Sequence, residues 1–291
     1  KWRRNKTMII GGSKKEVIKN IQKNILENEL NKKVEVGDPI LTDEEINKVL
    51  NNFFENKNKK DYKLKKKAAI RIVKKSTKYI DNIEVIGIEK LKNLDLSQGA
   101  IITNNHFNPL DSYASRKVTS LLNKKLYIVI EDTNLAIPGT VGFLMNYLDV
   151  LPVSKSPSYL IKTFMPELKK ILNEGYIVLI YPEEEMWFNY RKPRPCKRGA
   201  YQFASLNKVP IISCFTEIVD LNIPDNDEFN KVKYIVHVLD PIIPDPNKTD
   251  RQNSIDMADI DYRQKKEAYK KAYNQELTYD FANNDIAGLR S

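Results

Sequence analysis

From residue 83 onward, short apolar runs alternate with longer amphipathic segments. The runs have the length of β-strands, and several segments between them have the periodicity of helices. This alternation predicts an α/β fold whose central, mostly parallel sheet has about seven strands and is flanked by helices. The predicted strands are residues 83–86, 100–103, 126–130, 150–153, 176–181, 210–215 and 233–239. The predicted helices are residues 111–122, 138–147, 158–173 and 197–206, followed by a last, polar helix near residues 263–276.

The part of the chain before this alternation has a helical pattern. Ser13 and Thr42 each stand three residues before a Glu, which is the spacing of a capping box. Apolar residues follow each of them at helical intervals. We therefore predict an N-terminal helical region, residues 1–80, and a main domain, residues 81–291, with the boundary near Ile80.

The composition limits the classes of partner and compartment. The net charge of +10 is compatible with nucleic acid, an anionic membrane or an anionic substrate. The two cysteines, Cys196 and Cys214, do not have the spacing of a disulfide framework or a zinc site, so we predict a reducing compartment. The sequence has no signal peptide and no apolar run of about 18 residues, the length that spans a bilayer. We therefore predict that the chain does not span a membrane by itself.

The segment 101–111, IITNNHFNPLD, contains the residues best suited to catalysis. A buried strand is predicted to end at Thr103, and the following Asn-Pro pair is typical of a helix start. His106 would then lie at the carboxyl end of a strand, where open α/β sheets carry their active sites, with Asp111 in the first helical turn. Such a pair suits general base catalysis, because the carboxylate stabilises the imidazolium that forms. Two simpler interpretations stay open: Asp111 as a helix-capping residue and His106 as a surface residue.

The His-x-x-x-x-Asp spacing after a strand resembles the first motif of the glycerolipid acyltransferase family. This family contains glycerol-3-phosphate and 1-acylglycerol-3-phosphate acyltransferases. Later segments resemble further family motifs in the family's order: residues 151–155 its Ile-Pro-Val-Asp-Arg stretch, residues 180–183 its Phe-Pro-Glu-Gly-Thr-Arg motif, and residues 209–212 its Val-Pro-Ile-Val-Pro stretch. The resemblance extends over residues 83–244.

One of these motifs departs from the family pattern. Glu184, Glu185 and Met186 stand where the family has Gly, Thr and Arg, so the family's phosphate-binding Arg is absent. The run RKPR at residues 191–194 follows shortly, and we predict that its basic side chains replace that Arg. A solvated basic loop is the simpler interpretation of the run. Residues 187–195 are similar to a branch of the family found in low-GC bacteria.

The resemblance implies an acyltransferase that moves a fatty acyl group from acyl-CoA or acyl-carrier protein to a lysophospholipid. The first candidate is 1-acyl-sn-glycerol-3-phosphate, which would give phosphatidic acid, and another lyso-lipid or glycolipid head group is the alternative. His106 would remove the proton of the acceptor hydroxyl and Asp111 would orient His106, with no metal and no other cofactor. The predicted substrate-binding residues are Lys155, Arg191, Lys192 and Arg194 around the phosphate, with Glu183 ordering the loop.

Other classes of protein fit the residues less well. A multi-histidine metal centre is excluded because His106 and His237 are the only histidines. The Gly-x-Ser-x-Gly motif of serine hydrolases is absent, and a cysteine nucleophile at Cys196 or Cys214 has no evident partner. No basic motif with interleaved aromatic residues indicates nucleic-acid binding. A non-catalytic basic membrane-binding module is the alternative from another class.

The segment 62–80 is amphipathic and very basic. Such a helix suits an anionic lipid surface, so we predict a protein that is peripheral to the inner, cytoplasmic face of the cell membrane. Packing of the helix on the main domain, with a solvated basic face, is the alternative.

Overall fold

Seven strands form one sheet in the computed structural model of this chain, which describes residues 14–74 and 82–290. The strands are β1 (Glu84–Ile86), β2 (Ala100–Thr103), β3 (Leu126–Glu131), β4 (Val150–Val153), β5 (Ile177–Leu179), β6 (Ile211–Pro224) and β7 (Asn230–Val238). Their order across the sheet is β1-β7-β6-β2-β5-β3-β4. All neighbours are parallel except β6 and β7, which pair antiparallel. The predicted seven-stranded, mostly parallel sheet is confirmed.

Helices flank the sheet on both faces. In chain order they are α1 (Lys14–Leu26), α2 (Asp43–Asn56), α3 (Tyr62–Lys74), α4 (Ser112–Leu121), α5 (Gly139–Tyr147), α6, α7 (Gly199–Asn207) and α8 (Asp250–Tyr273). Helix α6 consists of α-helical Pro157–Tyr159, π-helical Leu160–Phe164 and α-helical Met165–Asn173. Pro166 has no N–H and crowds the preceding turn, and the wider π-helical turn before it relieves that conflict.

The core lies on both faces of the sheet, because successive side chains of a strand point to opposite faces. Ile101 and Val178 pack with apolar side chains of α6, α7 and α8 on one face. Ile102 and Leu179 pack with side chains of α4 on the other face. All four residues of β2 are buried, so the strand that leads to His106 lies inside the core.

The N-terminal helices pack on the main domain. Apolar side chains of α1 share a cluster with Trp187, and Phe53 of α2 packs with Ile130 and Val150. The predicted capping box at Thr42 is present. Ser13 and the predicted boundary near Ile80 lie outside the described residues, so the division into two regions stays a prediction.

Two elements are longer than predicted. Strand β6 continues nine residues beyond residue 215, to Pro224, because this half pairs with β7 although most of its side chains are exposed. Helix α8 begins at Asp250, well before the predicted start at residue 263, with Thr249 accepting a hydrogen bond from the Gln252 N–H as its N-cap. The second half of β6 mixes polar with exposed apolar residues and the first half of α8 is mostly polar, so neither stretch forms an apolar run of a buried element. Within the described residues, no helix has the length and apolar composition needed to cross a bilayer.

Candidate active site

A rigid polar loop presents His106 at the carboxyl end of β2. Asn104 and Asn105 follow the strand and are buried. The Asn104 amide donates to the Thr216 hydroxyl (2.8 Å), and the Asn105 amide donates to the Thr216 carbonyl (3.0 Å). The Thr216 N–H donates back to Asn105 Oδ1 (2.7 Å). These bonds fix the loop to β6, so the position of His106 is set by buried groups on a neighbouring strand.

The His106 imidazole binds the Asp111 carboxylate, with Nδ1 and Oδ2 2.7 Å apart. The same Oδ2 accepts the backbone N–H groups of Phe107 (2.9 Å) and Asn108 (3.2 Å). Asp111 is 2% exposed, whereas the His106 side chain is 21% exposed. A carboxylate at Nδ1 holds the proton on that nitrogen and leaves Nε2 free to accept another.

Asp111 stands at the N-cap position of α4, but its side chain does not cap the helix. Helix α4 starts at Ser112, one residue after the predicted start at residue 111, and Asp111 makes no side-chain capping bond. Asn108 instead closes a turn by accepting the Leu110 N–H at 3.0 Å. The Asp111 carboxylate instead points back into the His106 loop, so a side-chain capping bond does not explain this residue.

Tyr181 is a site residue that the sequence reasoning missed. Its ring stacks on His106 with centroids 3.8 Å apart and planes 8° apart. Its hydroxyl donates a short hydrogen bond to Asp111 Oδ1. Burial, and then the Asp111 carboxylate, raise the pKa of Tyr181 well above its usual value, so the hydroxyl keeps its proton and acts as a donor. The available signal was a Tyr at the position where the family motif has Phe.

Glu183 and Arg194 form a buried pair beside the His106 loop. Arg194 Nη2 lies 2.9 Å from Glu183 Oε2, and both side chains are at most 2% exposed. Glu183 also accepts the His106 N–H at 3.1 Å and the Arg194 N–H at 2.9 Å. The guanidinium donates in addition to the carbonyls of Leu30, Glu185 and His106. Glu183 thus orders the loop, and Arg194 lies inside the protein.

The other predicted phosphate-binding residues are dispersed. Lys192 is 6% exposed and binds Asp285 at 2.8 Å. The Arg191 guanidinium binds the Asp220 carboxylate and the Ile218 carbonyl. Lys155 follows β4 and is exposed. The structure therefore brings Glu183 and Arg194 to the His106 loop, whereas Arg191 and Lys192 are held by acidic partners elsewhere.

The altered motif contains a tight backbone turn. Glu184, at the family's Gly position, has a φ of +65°, a left-handed conformation that Gly adopts more easily. Its N–H donates to the Tyr181 carbonyl at 3.1 Å. Glu184 thus holds a left-handed turn that this hydrogen bond closes.

A second group of charged residues lies near the His106 loop. Burial raises the pKa of Glu185, the residue at the family's Thr position, and Lys33, Glu131 and His106 all interact with it electrostatically. Lys33 itself lies 3.9 Å from the Glu131 carboxylate. Lys33 and the carboxyl groups of Glu131 and Glu185 therefore form one group of mixed charge near His106.

Glu35 extends this group of carboxyls. Burial raises the pKa of Glu35 to about 7, and Asp38 adds to the effect. Its Oε1 is buried without a hydrogen-bond partner. Lys33 binds Asp38 at 2.8 Å. The four carboxyl groups are called the acidic rim: Glu35, Asp38, Glu131 and Glu185.

A buried charge network lies under the site. Lys265 and Asp261 of α8 are both fully buried and 2.7 Å apart. Asp261 also accepts the hydroxyls of Thr103 (2.7 Å), Tyr201 (2.5 Å) and Ser213 (2.5 Å). Because Thr103 ends β2, the network ties α8 to the strand that carries His106. The sequence reasoning missed it, since two charged residues one turn apart in a polar helix resemble a solvated pair.

The two cysteines and the second histidine are the other candidate reactive groups. Burial raises the pKa of Cys196 and of Cys214 to about 12, so both remain thiols at neutral pH and are poor nucleophiles. His237 binds Glu217 at 2.8 Å on the β6–β7 hairpin. Among the described residues, no group of His, Cys, Asp and Glu side chains has the arrangement of a metal site.

Part of this chain matches a known protein family. Residues 82–217 match the model of the family described as Acyltransferase. The crystal structure of the 1-acyl-sn-glycerophosphate (LPA) acyltransferase PlsC from Thermotoga maritima aligns with 79% of this chain and 89% of its own, at 15% identity and a TM-score of 0.45. No curated protein matches the chain. The matched segment contains His106, Asp111 and Glu183, so the predicted resemblance to an acyltransferase family is confirmed over residues 82–217 and supports acyltransferase activity.

Proposed function

We propose that this protein transfers a fatty acyl group from a thioester donor, acyl-CoA or acyl-carrier protein, to a free hydroxyl of a lyso-lipid. The observation that carries the proposal is the His106–Asp111 pair, 2.7 Å apart, at the carboxyl edge of the sheet within the segment that matches the acyltransferase family. Asp111 is buried and saturated with donors, whereas His106 is partly open to solvent. This arrangement suits a general base with a fixed tautomer.

In the proposed mechanism, His106 Nε2 takes the proton of the acceptor hydroxyl while its oxygen attacks the thioester carbonyl. Asp111 stabilises the imidazolium through Nδ1–H. The tetrahedral intermediate then expels the thiolate, and the imidazolium returns the proton to the sulfur. The products are the new ester and the free thiol of the donor. The step uses no covalent enzyme intermediate and no metal or other cofactor.

Two acceptors compete within this proposal. The family resemblance favours 1-acyl-sn-glycerol-3-phosphate, whose product is phosphatidic acid. The second candidate is a lyso-lipid with a different head group, and it is favoured by a specific observation: Arg194 and Lys192 are buried in pairs with Glu183 and Asp285. Both candidates require the same base and the same attack.

We also propose that α3 attaches the protein to the inner face of the cell membrane. Lys63, Lys67 and Arg71 are exposed and recur every four residues, so they line one face of the helix. Leu64 beside them is 69% exposed. Lys66, on another face, binds Asp149 at 2.6 Å and attaches the helix to the main domain. A basic face with an exposed apolar residue suits an anionic lipid surface.

The experiment that tests the proposed reaction is product analysis with defined donors and acceptors. Purified protein is incubated with acyl-CoA or acyl-carrier protein and a panel of lyso-lipids, and products are identified by mass spectrometry. We expect an acylated lipid and an equal amount of free thiol. Thioester hydrolysis without an acylated product would contradict acyl transfer.

A further inference from the structure

A cavity of about 540 Å³, a volume typical of small-molecule sites, lies between α3, α4 and the amino ends of β3 and β4. Lys125 and Asp149 line it and directly precede β3 and β4. Because these strands run parallel to β2, both residues lie at the edge of the sheet opposite to His106. The six residues of β3 separate the two edges by about 20 Å. We call this space the amino-edge cavity.

The lining of the amino-edge cavity is basic. Its charged residues are four cations and one anion: Lys74, Arg116, Lys124, Lys125 and Asp149. Asp149 binds Lys66 at 2.6 Å and Lys125 at 3.0 Å, so two cations already balance its charge. Lys124 donates to a backbone carbonyl at 2.9 Å and interacts electrostatically with the exposed Asp95. The cavity is therefore suited to an anionic ligand.

Arg116 lines the cavity from the second turn of α4. The side chain is half-buried, burial lowers its pKa, and Asp149, Tyr113 and Tyr181 interact with it electrostatically. Within residues 14–74 and 82–290, its guanidinium forms no hydrogen bond and no ion pair. A guanidinium has five N–H donors, and leaving donors unsatisfied away from water costs free energy. Phosphate oxygens satisfy these donors in pairs, because the planar fork of Arg matches their geometry.

The ends of two helices explain the other cations without a ligand. Helix α3 ends at Lys74 and α4 ends at Leu121, so two carbonyl ends lie beside the cavity. Helix dipoles favour cations at such ends, and Lys74, Lys124 and Lys125 are placed accordingly. The effect falls off within the last turn of a helix. Arg116 precedes the last turn of α4, so the dipole does not explain it.

The surroundings of the cavity favour a lipid as the source of the phosphate. Val73 and Lys74 of α3 line the cavity, and α3 carries the basic face proposed to lie on the membrane. Ile72 and Leu121, each next in sequence to a residue that lines the cavity, are 40% and 53% exposed. Exposed apolar residues beside cations suit the boundary between lipid head groups and acyl chains.

We infer that the amino-edge cavity binds the phosphate diester of an anionic phospholipid head group, with Arg116 donating to two of its oxygens and Lys124 as a second cation. The site is separate from the catalytic loop, and it does not depend on the proposed acyl transfer. It adds one defined lipid contact to the general attraction between the α3 face and the membrane. Either of these two contacts can exist without the other.

The test is equilibrium binding of a short-chain lipid that is soluble as a monomer. Wild-type protein is titrated calorimetrically with dihexanoyl-phosphatidylglycerol below its micellar concentration, and with zwitterionic dihexanoyl-phosphatidylcholine for comparison. We expect saturable binding of the anionic lipid and weaker binding of the zwitterionic one. Arg116→Gln should weaken the former by at least about tenfold, the scale of lost charge-assisted hydrogen bonds. Lys117→Gln removes an equal charge from the next residue of α4, which does not line the cavity, and should bind like wild type.

Further variants keep the test independent of one substitution. Lys124→Gln should also weaken binding of the anionic lipid, whereas replacing Lys63, Lys67 and Arg71 by Gln should not, because none of these three lines the cavity. Thermal unfolding without lipid checks that each variant folds. Inorganic phosphate that binds as tightly as the anionic lipid would overturn the assignment to a lipid. Undiminished lipid binding by folded Arg116→Gln, or an equal loss in Lys117→Gln, would overturn the site itself.

Discussion

The imidazole of His106 lies parallel to the ring of Tyr181, with centroids 3.8 Å apart. Both side chains bind the Asp111 carboxylate, each through a different oxygen. Tyr181 therefore fixes the plane of the imidazole and also the carboxylate that orients it. This arrangement makes Tyr181 a positioning residue for the proposed base.

The first prediction concerns this hydroxyl. Tyr181→Phe keeps the stacked ring but removes one of four donors to Asp111, so we expect kcat to fall by about threefold to tenfold. Steady-state acyl transfer measures the change, with a thermal unfolding curve as the check on folding. Tyr159→Phe removes a phenol that donates to the Pro152 carbonyl at 2.8 Å and should leave kcat unchanged. Equal kcat for Tyr181→Phe and wild type would contradict the positioning role.

The second prediction concerns pH and Glu35. Its pKa is raised by burial from 4.5 to about 7, so the folded protein holds this proton more tightly than the unfolded chain does. That contribution to stability is complete below pH 4.5 and is lost as the pH rises through 7. Glu35→Gln should therefore be more stable than wild type at pH 8, by about 1–3 kcal/mol, with almost no difference at pH 4. Urea unfolding at both pH values measures this, and an equal difference at the two would contradict it.

The third prediction concerns the buried pair in α8. Asp261→Ala leaves the Lys265 ammonium buried with only the Thr103 hydroxyl as a partner, so we expect a loss of about 3–5 kcal/mol in unfolding free energy. The double change Asp261→Ala with Lys265→Met removes both charges and should recover part of that loss. Denaturant unfolding of wild type and both variants measures the coupling. A double variant no more stable than Asp261→Ala alone would argue against an uncompensated charge as the cause.

The fourth prediction concerns the membrane. Replacing Lys63, Lys67 and Arg71 by Gln should weaken co-sedimentation with anionic vesicles by at least about tenfold, since each basic residue near the surface contributes about 1 kcal/mol. The matched control changes three exposed lysines on α6 and at the end of α7 to Gln: Lys169, Lys170 and Lys208. The control should bind like wild type. An equal loss in both triple variants would indicate a general charge effect, not a binding face on α3.

The centre of the sheet was predictable because β2 and β5 are buried on both faces and appear as continuous apolar runs. The second half of β6 and the first half of α8 were not predicted, because β6 there mixes polar with exposed apolar residues and α8 begins with mostly polar residues. Asp261 and Lys265 resemble a surface pair in the sequence, and only the packing of α8 against β2 buries them.

The base and its carboxylate were predictable because they lie within one short segment at a strand end. The partners of the basic run were not, since Lys192 binds Asp285, which lies far along the chain. The basic run at residues 191–194 indicated a phosphate site. In the folded protein, tertiary contacts neutralise the charges of that run. Tyr181 was missed because its role depends on the approach of β5 to the end of β2, which no local pattern encodes.

The most direct test of the account is the rate of acyl transfer by His106→Ala. The variant should fold like wild type, because the side chain lies on a loop and is partly exposed, while kcat falls by at least about a hundredfold, the scale of a lost general base. The measurement is thiol release matched to acylated product, with a preferred donor and acceptor. A folded His106→Ala protein that retains most of the wild-type rate would contradict the assignment of His106 as the base.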